Sequence, residues 1–213
     1  MEFKTLLALV GDEPLFETGL LLAGGVDVRD VRRQLSRWAA SGQVQQFRRG
    51  VYALAPPFRK RDPHVFVVAN RLVRGSYVSC QAALAFHGLI PEAVPVTTSV
   101  TMRRPGRWQT PVGAFEYRHI AKALFAGYAL TDLGGGQQAY VATPEKALLD
   151  LIHLQPGGDA PEYVRELRLQ NLDRLNGAQL AKMADSVGSP KLRRAVEEVV
   201  KLVTAEAREY STL

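Results

Sequence analysis

The segment that decides how this chain starts to fold is DVRDVRRQLSRWAASGQVQQFRRGVYAL, residues 27–54. Its first half has apolar residues at spacings of three and four, which is the period of an amphipathic helix. The residues on this apolar face are Val31, Leu35, Trp38 and Ala39. Asp27 is a suitable cap for the helix start, Asp30 is placed for a partial capping box, and Gly42 is a typical end signal. The pattern therefore predicts one helix between these two signals.

The opposite face of this predicted helix is basic. At about 100° per residue, four polar side chains gather on the side away from the apolar face. These side chains are Arg29, Arg33, Ser36 and Arg37. Arg32 falls at the edge of the apolar face, where its stem can cover apolar surface while its charge stays in water. The apolar face is thus suited to packing in a hydrophobic core, and the basic face is suited to binding an anionic partner.

After the helix, the pattern changes to that of β-strands. QVQQF (43–47) and GVYAL (50–54) are two short runs of β-forming residues on either side of Arg48 and Arg49. They predict a β-hairpin with both arginines at its tip, where Gly50 supplies the backbone freedom that a tight turn needs. The arginines are either ordinary solvated turn residues or contacts to something negative.

Two shorter helices are predicted before residue 27. EFKTLLALV (2–10) has helical spacing, and PLFETGLLLAGG (14–25) starts with a proline suited to a first turn and ends at two glycines. Three short helices and a hairpin, with basic residues on the third helix and the hairpin tip, are typical of a winged helix-turn-helix. In that fold the third helix enters the major groove of DNA. We therefore predict a DNA-binding domain over residues 1–58.

The candidate DNA contacts divide by position. Arg29 and Arg33 lie toward the start of the third helix and are the expected base readers, since arginine can bond guanine through two nitrogens. Ser36 shares the face that would enter the major groove. The residues expected to contact phosphate or the minor groove are Arg37, Gln45, Arg48 and Arg49.

The charge distribution is consistent with a polyanionic partner. The chain has 213 residues and a formal net charge of +6 at pH 7. Residues 29–61 hold nine basic residues and one acid, so the rest of the chain is slightly acidic overall. A local basic block of this kind indicates nucleic-acid binding, although a simply solvated surface has the same charge.

The remaining residues, 59–213, are predicted to form an α+β domain. APPFRKRDP (55–63) is a proline- and charge-rich boundary, and a helix is expected to start at Asp62-Pro63. Strand-like segments in the middle predict a small central sheet, and the chain from TPEKALLDLIHL onward is expected to be mainly helical. The strand-like segments are SYVS, TTSVTM, GAFEYRHI, YALTDL and QAYVA. The overall fold class is therefore predicted as α+β.

No pattern in the sequence indicates an enzyme. The four histidines are far apart, the lone Cys80 allows no intrachain disulfide, and no phosphate-loop or nucleophile-elbow motif occurs. A nuclease would need clustered carboxylates, and Glu116, Asp132 and Asp150 form no recognisable set, although their proximity in space stays open. We expect no catalytic residue, no metal and no cofactor.

The sequence also bears on location. No apolar run approaches the roughly 18 residues that span a bilayer. The first residues have no basic leader before their short apolar stretch, so a signal peptide is not expected. With a single cysteine, a cytoplasmic location without membrane contact is the expectation.

Three segments resemble a known family. LSRWAASGQVQQFRRGVYAL (35–54) is similar to the end of the winged helix of AbiEi-type antitoxins, the regulator half of bacterial abortive-infection (type IV) toxin–antitoxin pairs. YVSCQAALAFHGL (77–89) and TPEKALLDLI (143–152) are similar to segments of that family's second domain. The similarity covers nearly the whole chain, and RRGVY and PEKALLDL are its most specific parts.

The resemblance implies a repressor that binds inverted repeats in the promoter of its own operon. It also implies that residues 59–213 counteract a nucleotidyltransferase toxin, without a tight complex between the two proteins. Two alternatives stay open: a winged-helix regulator without antitoxin activity, and a winged helix fused to a nuclease-like domain.

Overall fold

The computed structural model describes residues 1–22 and 26–210 of the chain, and for residues 206–210 it describes the backbone alone. Within these residues lie eight α-helices and nine β-strands in two sheets, so the predicted α+β class is confirmed. Every helix in the described part of the chain is too short or too polar to cross a lipid bilayer.

The chain begins with a small unit, called here the amino-terminal unit, that holds three strands. Its elements are α1 (Phe3–Val10), β1 (Phe16–Glu17), a 3₁₀ helix (Thr18–Leu22), α2 (Val28–Ala40), β2 (Val44–Arg48) and β3 (Val51–Leu54). The strands pair antiparallel in the order β1-β3-β2. Helix α2 starts at Asp27, whose side chain accepts a hydrogen bond from the Arg29 backbone N–H at 2.6 Å.

The apolar face of α2 forms the centre of the amino-terminal unit. Val31, Leu35 and Trp38 are buried, as their spacing predicts. They share a hydrophobic core with residues from the other elements of the unit, namely Leu6, Val10, Phe16, Leu21, Val44, Tyr52 and Leu54. The packing leaves the other face of α2 exposed.

The helix predicted over residues 14–25 is wrong in its first part. Phe16 and Glu17 instead form β1, paired with Tyr52 and Val51 of β3, and the Phe16 ring stacks on that of Tyr52. Only then does the 3₁₀ helix follow. Pairing with β3 satisfies the backbone groups of this segment, and such tertiary contacts override a weak local helix signal. The glycines expected to end the helix lie outside the described residues.

The second sheet has six strands in the order β6-β7-β5-β4-β9-β8. Its strands are β4 (Ser76–Val78), β5 (Val96–Thr101), β6 (Gly106–Thr110), β7 (Gly113–His119), β8 (Tyr128–Asp132) and β9 (Gln138–Ala142). The pairs β5–β7 and β4–β9 are parallel and the other three are antiparallel. A 3₁₀ helix (Lys122–Leu124) separates β7 from β8.

Six helices complete this part of the molecule. They are α3 (Val65–Leu72), α4 (Cys80–Phe86), α5 (Pro144–Leu154), α6 (Pro161–Glu166), α7 (Gly177–Val187) and α8 (Pro190–Tyr210). A further 3₁₀ helix spans Leu172–Arg174. Thr143 caps α5 by accepting a hydrogen bond from the Lys146 backbone N–H, as the Thr-Pro signal predicts. One large hydrophobic core joins the sheet to these helices.

The structure differs from the sequence predictions at two places in this region. No strand is predicted over the residues of β6, yet they pair with β7, and Trp108 packs edge-on against Tyr117. The helix expected to start at Asp62-Pro63 begins at Val65. There the His64 ring accepts a hydrogen bond from the Phe66 backbone N–H and supplies the cap.

The amino-terminal unit is packed against the rest of the molecule. Four of its buried residues, Leu15, Phe47, Val51 and Ala53, belong to the large core rather than to the small one. Glu17 forms ion pairs with Arg71 and Arg74, and Lys60 lies 2.8 Å from Asp12. The two parts on either side of the predicted boundary near residue 58 are therefore in extensive contact with each other.

Candidate nucleic-acid interface

Helix α2 presents a cationic face to solvent. All four side chains predicted to contact DNA from this helix are exposed: Arg29, Arg33, Ser36 and Arg37. They lie opposite the buried apolar face, so the helix that organises the core of the unit also fixes their orientation. The exposed Arg32 lies beside them.

One of these arginines is paired within the helix. The Arg33 guanidinium lies 2.6 Å from Asp30, and the two side chains are 63% and 66% exposed. An exposed pair at i,i+3 contributes little to stability and is easily exchanged for another anion. Asp30 therefore pairs with Arg33 instead of completing a capping box, and a phosphate or base edge can replace it.

The two arginines of the hairpin have different surroundings. Arg49 is exposed in the turn, beside Gly50, whose φ is +89°. Arg48 is half-buried at the end of β2, and a register shift lies between Gln46 and Arg48. The expectation that both arginines lie at the exposed tip therefore holds for Arg49 and not for Arg48.

The Arg48 side chain turns toward the second sheet. Its Nε is buried and has no hydrogen-bond partner in the described part of the chain. Burial raises the pKa of Tyr117, and the nearby positive charge of Arg48 partly offsets that rise. This position favours a role in holding the hairpin against the second sheet.

Gln45 is also engaged within the protein. Its side-chain oxygen accepts a hydrogen bond from Arg59 at 3.0 Å, and Arg59 lies 2.6 Å from Asp62. Lys60 and Arg61 both lie near Asp12. The basic block at residues 59–61 thus forms contacts within the molecule, whereas Arg29, Arg37 and Arg49 form no ion pair among the described residues.

The three carboxylates considered for a nuclease do not come together. Glu116 lies 2.8 Å from Arg107, and Asp132 accepts a hydrogen bond from the Gly134 backbone N–H. These residues are on β7 and β8, which are four strand positions apart, or about 19 Å at the usual strand spacing. Asp150 is buried on α5. No group of three or more potential metal ligands occurs among the described residues.

Asp150 belongs to a buried polar network that is not among the features predicted from the sequence. One carboxylate oxygen lies 2.5 Å from Lys146 Nζ, and the other accepts hydrogen bonds from Ser79 at 2.7 Å and Tyr77 at 3.0 Å. Burial raises the pKa of Asp150, and Lys146 is the main influence that lowers it. The signal was present in PEKALLDL: a lysine and an aspartate at i,i+4 among apolar residues.

The histidines and the cysteine have structural positions. His87 ends α4 and its Nε2 lies 2.8 Å from the Ala142 carbonyl oxygen, while His64 caps α3. Cys80 is buried, as expected, and burial raises the pKa of its thiol.

The comparisons with known proteins find a likeness among solved structures. No family model and no curated protein sequence match the chain. Among solved structures, the RV2827C protein from Mycobacterium tuberculosis is similar, with a TM-score of 0.52 and 17% identity. The match covers 92% of this chain and 76% of that one. At this identity the likeness concerns the fold alone.

Proposed function

We propose that the chain is a DNA-binding transcriptional regulator whose amino-terminal unit is a winged helix-turn-helix. In this proposal α2 is the recognition helix and the β2–β3 hairpin is the wing. The observation that carries the proposal is the exposed cationic face of α2, Arg29, Arg33 and Arg37, next to a hairpin with an exposed Arg49. A helix of this width fits the major groove, and guanidinium groups bind both base edges and phosphates.

The roles of the individual residues follow from their positions. Arg29 and Arg33, in the first half of α2, read bases in the major groove, and Ser36 faces the same groove. Arg37 and Arg49 neutralise phosphates. Gln45 and Arg48 support the wing, because both are turned toward other parts of the protein.

The biological setting of this regulator is a further step of the proposal. The resemblance to AbiEi-type antitoxins supports a cytoplasmic repressor of its own toxin–antitoxin operon, acting on inverted repeats. It also supports a role for residues 59–213 in counteracting a nucleotidyltransferase toxin without a tight complex. The described residues hold no cluster of catalytic carboxylates that would favour the nuclease alternative.

The DNA-binding proposal is tested by fluorescence anisotropy with the promoter DNA of the chain's own gene. Arg33→Ala should lower the preference for this DNA over a scrambled duplex by about 5- to 150-fold, the value of one arginine–guanine contact. The matched control is Arg165→Ala. Arg165 also forms an exposed i,i+3 ion pair, with Glu162 at 3.0 Å, but lies on α6. Equal behaviour of the two variants would refute the assignment of α2.

The antitoxin step is tested separately in cells. A nucleotidyltransferase-like toxin encoded next to the chain's own gene would be induced with and without this chain, and growth measured; the absence of such a gene would argue against the antitoxin step. Rescue by the wild type and by Arg33→Ala would support an antitoxin activity that does not need the DNA-binding face. If the wild type does not rescue growth, the chain is a transcriptional regulator without antitoxin activity. Metal-dependent cleavage of DNA or RNA by the purified protein would favour the nuclease alternative.

A further inference from the structure

A cleft in the second part of the molecule opens onto the buried Lys146–Asp150 pair. Its volume is about 290 Å³, near the lower end of the roughly 300–1,000 Å³ of small-molecule sites. It lies between the segment after the 3₁₀ helix Lys122–Leu124 and helices α5, α7 and α8. Apolar side chains form much of its wall, including Leu124, Leu149, Met183 and Leu192.

The ion pair that lines this cleft is almost fully buried. The Lys146 and Asp150 side chains are 4% and 1% exposed. Both oxygens of Asp150 are occupied, one by Lys146 and the other by Tyr77 and Ser79. The carboxylate therefore has the partners that a buried charge needs.

Lys146 is less well satisfied than its partner. An ammonium group has three N–H donors, and Asp150 is its one hydrogen-bond acceptor among the described residues. The Tyr77 ring offers a second, weaker contact, with its centroid 6.0 Å from Nζ. A buried donor without an acceptor costs free energy, so Lys146 favours a molecule in the cleft that supplies one.

The loop beside the cleft holds the lysine in place. Gly127 has φ +79°, and a Cβ there would lie 3.1 Å from Lys146 Cβ and Cγ and 2.8 Å from Met183 Cε. The backbone thus packs directly on the lysine stem, which restricts the directions in which the ammonium can point. A pre-positioned donor in a largely apolar cleft is the usual design of a small-molecule site.

We infer that this cleft binds a small, uncharged, mostly apolar molecule with one oxygen acceptor, which bonds to Lys146. The ligand is uncharged because both Lys146 and Asp150 line the cleft. A carboxylate would meet Asp150, and an ammonium would meet Lys146. The site is separate from the cationic face of α2, and its existence does not depend on DNA binding.

The test uses methionine methyl groups as reporters. The chain has three methionines, Met1, Met102 and Met183. Met183 lines the cleft, whereas Met1 and Met102 are exposed elsewhere and serve as internal controls. The full chain, labelled with ¹³C at the methionine methyl groups, is titrated with acetophenone, an aromatic ketone. The Met183 signal should shift and saturate, while the other two signals stay in place.

Two comparisons make the result specific. Ethylbenzene, which has the same shape without the oxygen, should bind at least about ten-fold more weakly, the value of one hydrogen bond to a charged group. Ala126→Trp places a large ring at the exposed rim of the cleft and should abolish the Met183 shift without changing the unfolding midpoint. Equal shifts of all three methionines, equal binding of the two probes, or unchanged binding to the Ala126→Trp variant would each overturn the inference.

Discussion

Arg48 and Arg49 are neighbours in the chain, but their surroundings differ. Arg49 is exposed in the turn, whereas Arg48 is half-buried and its Nε is fully buried. The difference arises at the register shift in β2, which changes the side of the hairpin to which the next residue points. We therefore expect these two adjacent arginines to contribute differently to DNA binding.

We expect Arg49→Ala to weaken binding to all DNA sequences, since one phosphate contact is lost. The slope of log affinity plotted against log salt concentration should become shallower by about one unit. Arg48→Ala is the matched control and should leave the slope unchanged. Anisotropy titrations over a series of KCl concentrations measure both. A loss of slope in Arg48→Ala equal to that in Arg49→Ala would contradict the observed orientation.

The Lys146–Asp150 pair gives a prediction about stability. Lys146→Met leaves Asp150 buried without its cation, which should cost about 3–5 kcal/mol near neutral pH. Loss of Lys146 also raises the pKa of Asp150 further, because Lys146 is the main influence that lowers it. A raised pKa in the folded state adds stability that is present at low pH and lost as pH rises through it. The penalty should therefore be smaller at about pH 5 than at about pH 8.

Urea unfolding of Lys146→Met and wild type at both pH values measures this penalty. Lys182→Met, which changes an exposed lysine on α7, is the control and should have little effect at either pH. A penalty in Lys146→Met that does not depend on pH would show that Asp150 stays in the same protonation state without its partner.

At the scale of elements, α2 links the core of the amino-terminal unit to its exposed cationic face. Its start is defined by one hydrogen bond, from the Arg29 backbone N–H to Asp27 at 2.6 Å. The same turn carries the Arg29 side chain that we propose reads a base. Fraying of this turn should therefore affect both stability and recognition.

We expect Asp27→Ala to lower the free energy of unfolding by about 1 kcal/mol, the usual value of an N-cap, and to weaken specific DNA binding. Asp27→Asn should retain both properties, because asparagine caps a helix about as well. Denaturant unfolding and anisotropy measure the two effects. If Asp27→Asn were as damaging as Asp27→Ala, the carboxylate charge rather than the cap would be the important property.

At the scale of the whole molecule, the net charge separates the first part of the chain from the rest, whereas the hydrophobic packing joins the two parts. From residue 62 onward there are 17 basic and 15 acidic residues, so the positive excess belongs to the amino-terminal unit and the segment that follows it. Packing crosses this division, because Phe47 and Val51 of the hairpin belong to the large core. DNA affinity should depend on one part, and stability on both.

This shared packing predicts a single unfolding transition. The chain has two tryptophans, Trp38 in α2 and Trp108 in β6. Trp38→Phe and Trp108→Phe each leave one reporter, and their urea transitions should coincide. Adding Phe47→Ala should lower the free energy of unfolding measured from either tryptophan by about 3–5 kcal/mol, the cost of removing a buried phenylalanine ring. Separate transitions, with only one moved by Phe47→Ala, would show that the two parts unfold independently.

The features that the sequence predicts correctly have local signals. The start of α2 at Asp27, its buried face and the strong strand segments depend on residues within one turn or one strand of each other. The features that it does not predict need a partner that is distant in the chain. β1 needs β3 as its neighbour, and β6 is stabilised by the packing of Trp108 on Tyr117.

The sequence by itself determined the α+β class, the order of most elements and the cationic face of α2, because periodicity and capping are properties of neighbouring residues. Only the tertiary structure decided that Arg48 is turned inward and that Gln45 bonds to Arg59. It also decided that Tyr77 and Ser79 bond to Asp150 and that the Lys146–Asp150 pair lines a cleft. Tyr77 and Ser79 are more than 70 residues away from Asp150 in the chain. Such contacts form only when the sheet and helices pack, and short-range patterns do not record that packing.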